Sequence, residues 1–418
     1  MSVVHASFSI ECEIAKVSSS TPLRQILLHP SKRAVRLGRH PWILASSLVE
    51  PASVPQVGEQ VDVIHTDGRW VGRGLINPHS RIRVRMYAWD REEWIEERLL
   101  CERIDRALEL RNQLAAQAHH DAMRMVFSEA DQISGLVVDR FGSHLVIQLT
   151  AAVLLPFLEG IVDRLKQRLQ PESITLQIDA KTAQSEGMEE ADTTLWGAVP
   201  PGPMTMRENG LEWGIDLAGG QKTGYYLDQR ENRLAAARWA PHDARVLDVC
   251  TYAGGFALTI AHFAPSARIT AIDSSARALE LAMANAQRNA LVDRVVWEQS
   301  DLFEALSSRV DRREIVDMIV LDPPKLAGSR DQIQRALSAY HRLNYLAVRC
   351  LRPGGILVTC SCSGRVSRES FREMLQGVSV RARRDLQILE NRGAAADHPV
   401  AIHCPETDYL KCVIARVV

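Results

Sequence analysis

Val246–Phe256 (VLDVCTYAGGF) decides the fold of the C-terminal half of this chain. Apolar residues around Asp248 predict a short buried strand, and an apolar run at helical spacing follows the glycine pair. The pattern is therefore strand, tight turn and helix. Such a turn brings bare backbone and a helix N-terminus next to a ligand, as in the first crossover of a doubly wound α/β sheet. A glycine pair in this position can also be only a packing device.

The segments that follow favour a ligand site. Four aspartates lie at the ends of predicted strands or in the turns that follow them, namely Asp248, Asp273, Asp301 and Asp322. Because parallel strands end at one carboxyl edge, we expect these carboxylates to line one crevice. The absence of a G-x-G-x-x-G pattern argues against a dinucleotide. An acid-lined pocket suits S-adenosylmethionine, which carries adenine, a ribose and a cationic centre.

Length and composition predict a soluble, globular, cytoplasmic protein. The chain has 418 residues, of which 46% are hydrophobic, and a net charge of −1, which excludes a uniformly basic nucleic-acid binder. We find no apolar run of membrane-spanning length and no signal-peptide pattern, so no membrane partner is expected. The eight cysteines include no C-x-x-C pair, which predicts reduced thiols and no metal site.

Changes of pattern along the chain predict an arm and three domains. They are an N-terminal arm (1–21), a β-rich domain (22–95), a small central α+β domain (96–205) and a C-terminal α/β domain (206–418). Glu92–Met125 has apolar residues at helical spacing and predicts one or two helices. The Pro-rich segment Val199–Pro203 predicts a linker.

The β-rich domain is basic. Residues 22–91 carry eleven cations and five acids, with tryptophans and a tyrosine interleaved. Clustered cations with aromatics are typical of a surface that binds RNA, although a solvated face over core tryptophans would look similar. Arg81, Arg83 and Arg85 alternate at strand spacing and predict one charged face.

Gly219–Arg233 (GGQKTGYYLDQRENR) is an unusual connection. One interpretation is an ordinary helix start with Asp228 in its first turn. The other is a lid that faces both cofactor and substrate, in which Lys222, Tyr225 and Arg230 would be among the contacting residues.

The end of the last predicted strand, Gly355–Cys362, offers nucleophile chemistry at the same sheet edge as Asp322. Methylation of a pyrimidine at C5 needs a thiolate that adds to C6, and Lys325 could help ionise such a thiol. Asp322 could hold the N3/N4 edge of a cytosine. The competing interpretation is that Cys360 and Cys362 are small buried hydrophobes. Lys325 also stands where amine methyltransferases carry an aromatic residue, which argues against amine methylation.

Several separate motifs carry a resemblance to one family. They are RHPWIL (Arg39–Leu44), GLVVDRFG (Gly135–Gly142), KTGYYLDQREN (Lys222–Asn232), YAGGFAL (Tyr252–Leu258), LDPPK (Leu321–Lys325), SCSG (Ser361–Gly364) and AADHPV (Ala395–Val400). Through them the chain resembles the bacterial large-subunit ribosomal RNA cytosine-5 methyltransferases. That family has an N-terminal PUA domain, a central α+β domain and a C-terminal class I methyltransferase domain with a seven-stranded, Rossmann-like sheet.

The resemblance implies the reaction, the partners and the site. S-adenosylmethionine would be the cofactor and RNA the partner, with 23S ribosomal RNA as substrate and no role for DNA. The product would be 5-methylcytidine, formed through a covalent adduct of Cys362 at C6 with Asp322 as the second catalytic residue. Cys360 would be an extra thiol, and the family also implies a homodimer.

The implied binding residues fall into two sets. The cofactor set is Asp248, Tyr252, Gly254, Gly255, Phe256, Asp273, Ser274, Asp301, Leu302 and Asp322, with Asp273 on the ribose, Asp301 on the adenine amino group and the Tyr252–Phe256 turn at the methionine end. The substrate set is Lys222, Tyr225, Asp228, Arg230, Pro323, Pro324 and Lys325. Two alternatives stay open: methylation of another atom or RNA, and a non-catalytic RNA-binding assembly factor that keeps the fold.

Overall fold

The computed structural model describes residues 22–29, 38–115, 120–199, 204–215, 225–326 and 332–418. The strands in these ranges are β1 (Arg24–Leu27), β2 (Trp42–Leu44), β3 (Glu59–Ile64), β4 (Trp70–Ile76), β5 (Ile82–Ala88), β6 (Ala122–Phe127), β7 (Leu136–Phe141), β8 (His144–Leu149), β9 (Ser173–Ile178), β10 (Ala191–Gly197), β11 (Met204–Glu208), β12 (Leu211–Ile215), β13 (Arg245–Val249), β14 (Arg268–Asp273), β15 (Val295–Gln299), β16 (Val316–Leu321), β17 (Leu351–Ser361), β18 (Leu386–Arg392) and β19 (Lys411–Val417). The α-helices are α1 (Glu97–Ala115), α2 (Leu158–Leu169), α3 (Ala180–Glu186), α4 (Arg230–Trp239), α5 (Gly255–Phe263), α6 (Ala276–Arg288), α7 (Leu302–Asp311), α8 (Ile333–Cys350) and α9 (Arg368–Ala382).

The described residues form two compact units. One contains those up to Arg106 together with Asp131–Val137 and Ile147–Gly197, and the other contains Ala107–Ala130, Val138–Val146 and those from Ala198 to Val418. The domain boundaries expected from the sequence stay a prediction. The predicted arm (1–21) and most of the predicted linker lie outside the described residues.

A seven-stranded sheet forms the framework of the second unit, in the order β15-β14-β13-β16-β17-β19-β18. Strands β15 to β17 of this order are parallel, and β19 runs antiparallel between β17 and β18. Val246 packs in one apolar cluster and its neighbour Leu247 in another. Because successive side chains of a strand point to opposite faces, the two clusters form the cores on the two sides of the sheet. The predicted class I fold with a seven-stranded sheet is confirmed.

Side-chain caps fix where several helices begin. Ser275 Oγ accepts the N–H of Ala278 at the start of α6, at 3.2 Å. Ser367 Oγ accepts the N–H of Ser370 at the start of α9, at 3.0 Å. Each cap satisfies a backbone donor that the first turn leaves without a partner.

A five-stranded sheet of order β1-β3-β4-β5-β2 forms the β-rich region. The prediction of one charged face formed by Arg81, Arg83 and Arg85 is wrong. Arg85 is buried and pairs with Glu186 at 3.2 Å, and Arg83 donates to the carbonyl of Asn77 at 3.1 Å. Of the three, only Arg81 is exposed. The sequence spacing predicts that Arg85 faces solvent, but both faces of β5 are largely covered in the structure. The buried carboxylate of Glu186 neutralises the charge of Arg85 there.

The middle strands form a second five-stranded sheet, in the order β10-β9-β8-β7-β6. The helical prediction for Glu92–Met125 holds for α1 but is wrong at its end, because Ala122–Phe127 is a strand. Methionines in this segment favour a helix by intrinsic propensity, and pairing within the sheet overrides that preference.

Two further expectations concern the whole chain. No disulfide links the seven cysteines that the structure describes, four of which are buried. Within the described ranges, none of the helices combines the length and the apolar character that crossing a membrane requires.

Candidate active site

Four of the predicted site residues lie at the carboxyl edge of the seven-stranded sheet. Asp248 lies within β13, Asp273 ends β14, and Asp322 and Cys362 follow β16 and β17. These four strands are neighbours and parallel, with β16 between β13 and β17. Their ends therefore meet at one edge, where ligands of such sheets bind.

Asp248 lies beneath the turn that follows its strand. Asp248 is fully buried. Its Oδ2 accepts hydrogen bonds from the hydroxyl of Thr251 at 2.6 Å and from the N–H of Ala257 at 2.9 Å. Burial raises the pKa of this carboxyl to about 6. Its other oxygen, Oδ1, is buried and has no hydrogen-bond partner among the described residues. One oxygen thus fixes the turn, and the other can accept a donor from a ligand.

The turn itself has an unusual backbone. Cys250 and Tyr252 have φ angles of 66° and 49°, and Gly254 has a φ of 83°. A Cβ at Gly255 would meet Arg233 Nε at 2.7 Å, so a side chain there would have to displace this buried, ion-paired arginine. Left-handed conformations at non-glycine residues cost energy and concentrate at functional sites. Among the predicted cofactor-binding residues of this turn, Phe256 differs because its side chain packs in the apolar core.

Asp273 ties this turn to the neighbouring strand. Its Oδ2 accepts the N–H of Tyr252 at 2.9 Å and its Oδ1 accepts the N–H of Ser275 at 3.0 Å. The carboxylate is half-buried, and each oxygen keeps lone-pair capacity for further donors such as ribose hydroxyls. Ser274 is exposed beside it.

Asp301 begins α7 as its N-cap. Its Oδ1 accepts the N–H groups of Phe303 at 2.8 Å and Glu304 at 3.2 Å. Leu302 packs against the apolar cluster on its side of the sheet. The capping bonds account for the aspartate at this position, and its predicted contact with adenine stays a prediction.

The predicted lid is only partly described, since Lys222 lies outside the described residues. Tyr225 is buried and donates its hydroxyl to Glu208 Oε1 at 3.1 Å. Arg230 is buried too, pairing with Asp397 Oδ2 at 2.9 Å and donating to the carbonyl of Ala122 at 2.9 Å. These contacts correct the expectation that both side chains face the substrate, because their polar groups are already used inside the protein.

A buried polar cluster fixes Tyr225. Glu208 also accepts from Arg233 at 2.6 Å, and the side chains of both ion-pair partners are almost fully buried. Removing one member of such a pair leaves a charge buried without compensation.

We expect Glu208→Ala to lower the free energy of unfolding by about 3 kcal/mol or more. Urea unfolding followed by circular dichroism measures this loss. Glu212→Ala is the matched control, because Glu212 is an exposed glutamate of the same hairpin, and its effect should stay within about 0.5 kcal/mol. Equal losses from the two variants would contradict a role for the buried ion pair.

Asp322 and Asp228 form a pair of acids near the end of β16. Gln229 Nε2 donates to Asp322 Oδ1 at 3.0 Å, and Tyr409 donates its hydroxyl to Asp228 Oδ2. Burial, and then the charge of Asp228, raise the pKa of Asp322 to about 7. The protonated form of Asp322 is therefore accessible near neutral pH, which allows this group to donate a hydrogen bond.

The two cysteines of the SCS segment differ in environment. Cys360 is fully buried and lies opposite Cys412 on β19. The neighbouring Cys412 thiol and burial raise the pKa of Cys360 well above its usual range, so this thiol stays neutral. Cys362 is half-buried at the end of the strand. Of the two, Cys362 is the candidate nucleophile.

Comparison with known proteins identifies the family. Residues 26–89 match a PUA-like domain and residues 227–388 a methyltransferase small domain. The chain is 34% identical to the ribosomal RNA large subunit methyltransferase I of Citrobacter koseri, over 94% of this chain and 99% of that protein. It is 36% identical to the protein of the same name from Tolumonas auensis, again over 94% and 99%. The chain belongs to the ribosomal RNA large subunit methyltransferase I family.

A solved structure shares the fold of this ribosomal RNA large subunit methyltransferase I family member. It is a protein described as a methyltransferase, SMU.776, crystallised with S-adenosylhomocysteine, with a TM-score of 0.80 and 16% identity over 94% of this chain and 99% of that chain. The predicted S-adenosylmethionine dependence is confirmed. The residues present fit this cofactor, because Asp273 has acceptor capacity for ribose hydroxyls and Asp248 Oδ1 is a buried acceptor without a partner.

Sequence reasoning missed three residues of this ribosomal RNA large subunit methyltransferase I site. Tyr226 packs edge-on against Tyr252, with 5.4 Å between the ring centroids. Tyr409 bonds to Asp228, and Lys411 donates to the carbonyl of Ser363. The adjacent tyrosines of the lid were the only signal for Tyr226. Tyr409 and Lys411 come from a C-terminal segment whose local sequence carries no catalytic pattern.

Proposed function

We propose that this protein methylates C5 of a cytidine in 23S ribosomal RNA, using S-adenosylmethionine and a covalent adduct of Cys362. The observation that carries the proposal is the meeting of Cys362 and Asp322 at the ends of the neighbouring parallel strands β17 and β16. A thiol and a carboxyl that holds a proton near pH 7 are the two groups that addition to a cytosine ring requires. The names of the relatives support a large-subunit ribosomal RNA as substrate.

The chain's own residues perform the following steps. The Cys362 thiolate forms a bond to C6, and the electron pair of the C5–C6 double bond becomes available at C5, delocalised towards N3. Asp322 donates its proton to N3 and so stabilises the electron-rich ring. S-adenosylmethionine supplies the methyl group that C5 receives. A base then removes the C5 proton, N3 returns its proton to the Asp322 carboxylate, the C5–C6 double bond re-forms, and the C6–S bond breaks to release the thiolate.

The binding roles follow from the site geometry. Asp273 would accept the ribose hydroxyls, and the turn from Tyr252 to Gly255 would hold the methionine end. Pro324 and Lys325 are exposed beside Asp322 and would contact the RNA, with Pro323 buried behind them. Asp228 would act on the substrate through Asp322, since its charge raises the pKa of that carboxyl.

The PUA-like domain would hold the RNA outside the methyltransferase site. Its exposed cations include Arg81, and the exposed Arg91, two residues after the matched range, lies over the ring of Trp70 at 5.6 Å. Cations beside aromatic rings serve both phosphate contact and base stacking. Cytoplasmic location, a homodimer and the absence of a DNA partner stay predictions.

We expect Arg81→Glu with Arg91→Glu to weaken RNA binding about tenfold at low salt and to make its salt dependence shallower. Filter binding over a series of salt concentrations measures both quantities. The control is Arg313→Glu, which changes an exposed arginine at the amino edge of the seven-stranded sheet and should leave both quantities unchanged. A loss of S-adenosylmethionine affinity in the double variant would contradict the separation of roles.

The test of the proposed function is methylation followed by mapping. The protein is incubated with labelled S-adenosylmethionine and with 23S ribosomal RNA from a strain lacking its gene, and modified nucleosides are located by mass spectrometry. The expected product is 5-methylcytidine. Label on another atom would overturn the cysteine mechanism, and cofactor binding without transfer to free or ribosome-assembled RNA would favour the assembly-factor alternative.

A further inference from the structure

Lys411 is a buried cation at the end of the strand pair that carries Cys362. It begins β19 and lies opposite Ser361 in the antiparallel pairing with β17. The residue is 2% exposed. Its Nζ donates to the carbonyl oxygens of Ser363 and Tyr409, each at 2.7 Å. These two bonds anchor the ammonium beside the residue that directly follows Cys362.

A buried ammonium needs a negative counterpart. Among the described residues, no carboxylate forms an ion pair with Lys411, and two carbonyls serve its three N–H groups. Burial lowers the pKa of Lys411 to about 8, and a negative charge on Cys362 would be the largest influence that raises it. Taking a cation out of water costs several kcal/mol in general unless an anion is near. A thiolate at Cys362 would supply that anion.

We propose that the Lys411 ammonium holds Cys362 as a thiolate before RNA binds, and thereby acts as a positioning residue for the nucleophile. The attraction is mutual, since a charge that favours the protonated amine equally favours the ionised thiol. This assigns to Lys411 the task that sequence reasoning gave to Lys325. The inference rests on the proposed role of Cys362 as the nucleophile.

Other groups around the two side chains modulate this pair. Asp408 attracts the ammonium, but it is already bound to Arg368 at 2.6 Å, and Arg368 and Lys325 repel it. Burial raises the pKa values of the Tyr226, Tyr340 and Tyr409 hydroxyls, and a negative charge on Cys362 would add to that rise. Asp322 acts on Tyr226 and Tyr340 in the same direction. Burial has the opposite effect on a thiol from the one proposed for Lys411, since it raises the pKa of Cys350 to about 11.

Alkylation measures the thiolate without RNA or methyl transfer. The full-length protein is treated with iodoacetamide over a range of pH, and modification of Cys362 is followed by mass spectrometry. Trypsin leaves Cys360 in the same peptide, where this buried thiol serves as the unreactive internal standard. The variants are Lys411→Met, Lys411→Arg and Lys325→Met, with Cys362→Ser as the blank.

We expect Lys411→Met to slow alkylation of Cys362 about tenfold at pH 7 and to move the midpoint of the rate profile to higher pH. Lys411→Arg should retain most of the rate because it keeps the charge. An unchanged rate in a folded Lys411→Met protein overturns the proposal, as does a larger fall with Lys325→Met. Thermal melting and S-adenosylmethionine binding establish that each variant is folded.

If Lys411→Met does not fold, the pH profile of Cys362 alkylation in the wild-type protein tests the proposal. A midpoint clearly below the value of a free cysteine, about 8.5, supports the proposal, and one at or above it overturns the proposal. Failure of the proposed function is a separate outcome. In that case Cys362 is alkylated as a thiolate while ribosomal RNA receives no methyl group.

Discussion

Replacing Cys362 by alanine should reduce methyl transfer to 23S ribosomal RNA by at least about a thousandfold, with S-adenosylmethionine binding unchanged. The reason is chemical, because C5 of cytosine becomes a carbon nucleophile only after a nucleophile has added to C6. The half-buried Cys362 follows β17 at the edge where Asp322 lies. Transfer of labelled methyl groups measures the loss, and calorimetric titration measures the cofactor affinity.

Cys360→Ala is the matched control, because it removes a thiol two residues away that is fully buried. It should keep most of the activity. The cost should appear in stability, at about 1 kcal/mol, because a small cavity is left opposite Cys412. Equal loss of activity from the two variants would contradict the assignment of Cys362 as the single nucleophile.

Asp322→Asn should reduce kcat/KM about a hundredfold, since an amide can bond to N3 but cannot transfer a proton to it. The pH profile supplies a sharper test. Asp322 has a pKa raised to about 7, so the protonated form is lost above that pH, and wild-type kcat/KM should fall as the pH rises further. The residual activity of Asp322→Asn should show no such fall. A wild-type rate that keeps rising to pH 9 would contradict the role of Asp322 as an acid.

The same substitution should stabilise the protein at high pH. Because the pKa of Asp322 is raised in the folded state, that state retains a proton between about pH 4 and 7 that the unfolded state has lost, and stability decreases over this range. Above pH 7 the ionised Asp322 carboxylate, which is only partly exposed, opposes folding in full. Asp322→Asn removes it, so we expect a gain of about 2 kcal/mol at pH 8 and a smaller gain at pH 5, measured by urea unfolding. Loss of activity with a gain of stability separates a catalytic role from misfolding.

The sequence placed the methyltransferase fold because its signals are local. Alternating and continuous apolar runs located β13, β14 and β16, and the acid or turn after each strand located the carboxyl edge. The thiol of Cys362 could be assigned to that edge for the same reason. The reduced thiols followed from the lack of paired cysteine motifs.

Local pattern could not tell which polar groups the protein uses internally. Asp301 caps α7, Arg230 pairs with Asp397, and Arg85 pairs with Glu186. In the last two pairs the partners are more than 100 residues apart in the chain. An aspartate that caps a helix and one that binds a ligand have the same sequence signature, since both follow a strand and precede a helix.

The sequence by itself determined the sheet, its glycine turn, the cofactor class and the cysteine at its edge, because these depend on side-chain periodicity and turn chemistry within about ten residues. Only the tertiary structure decided the environment of that cysteine. Antiparallel pairing of β19 with β17 brings Lys411 and Tyr409 from the C-terminal segment to the residues around Cys362. Long-range strand pairing and burial set the charges there, and no local pattern encodes them.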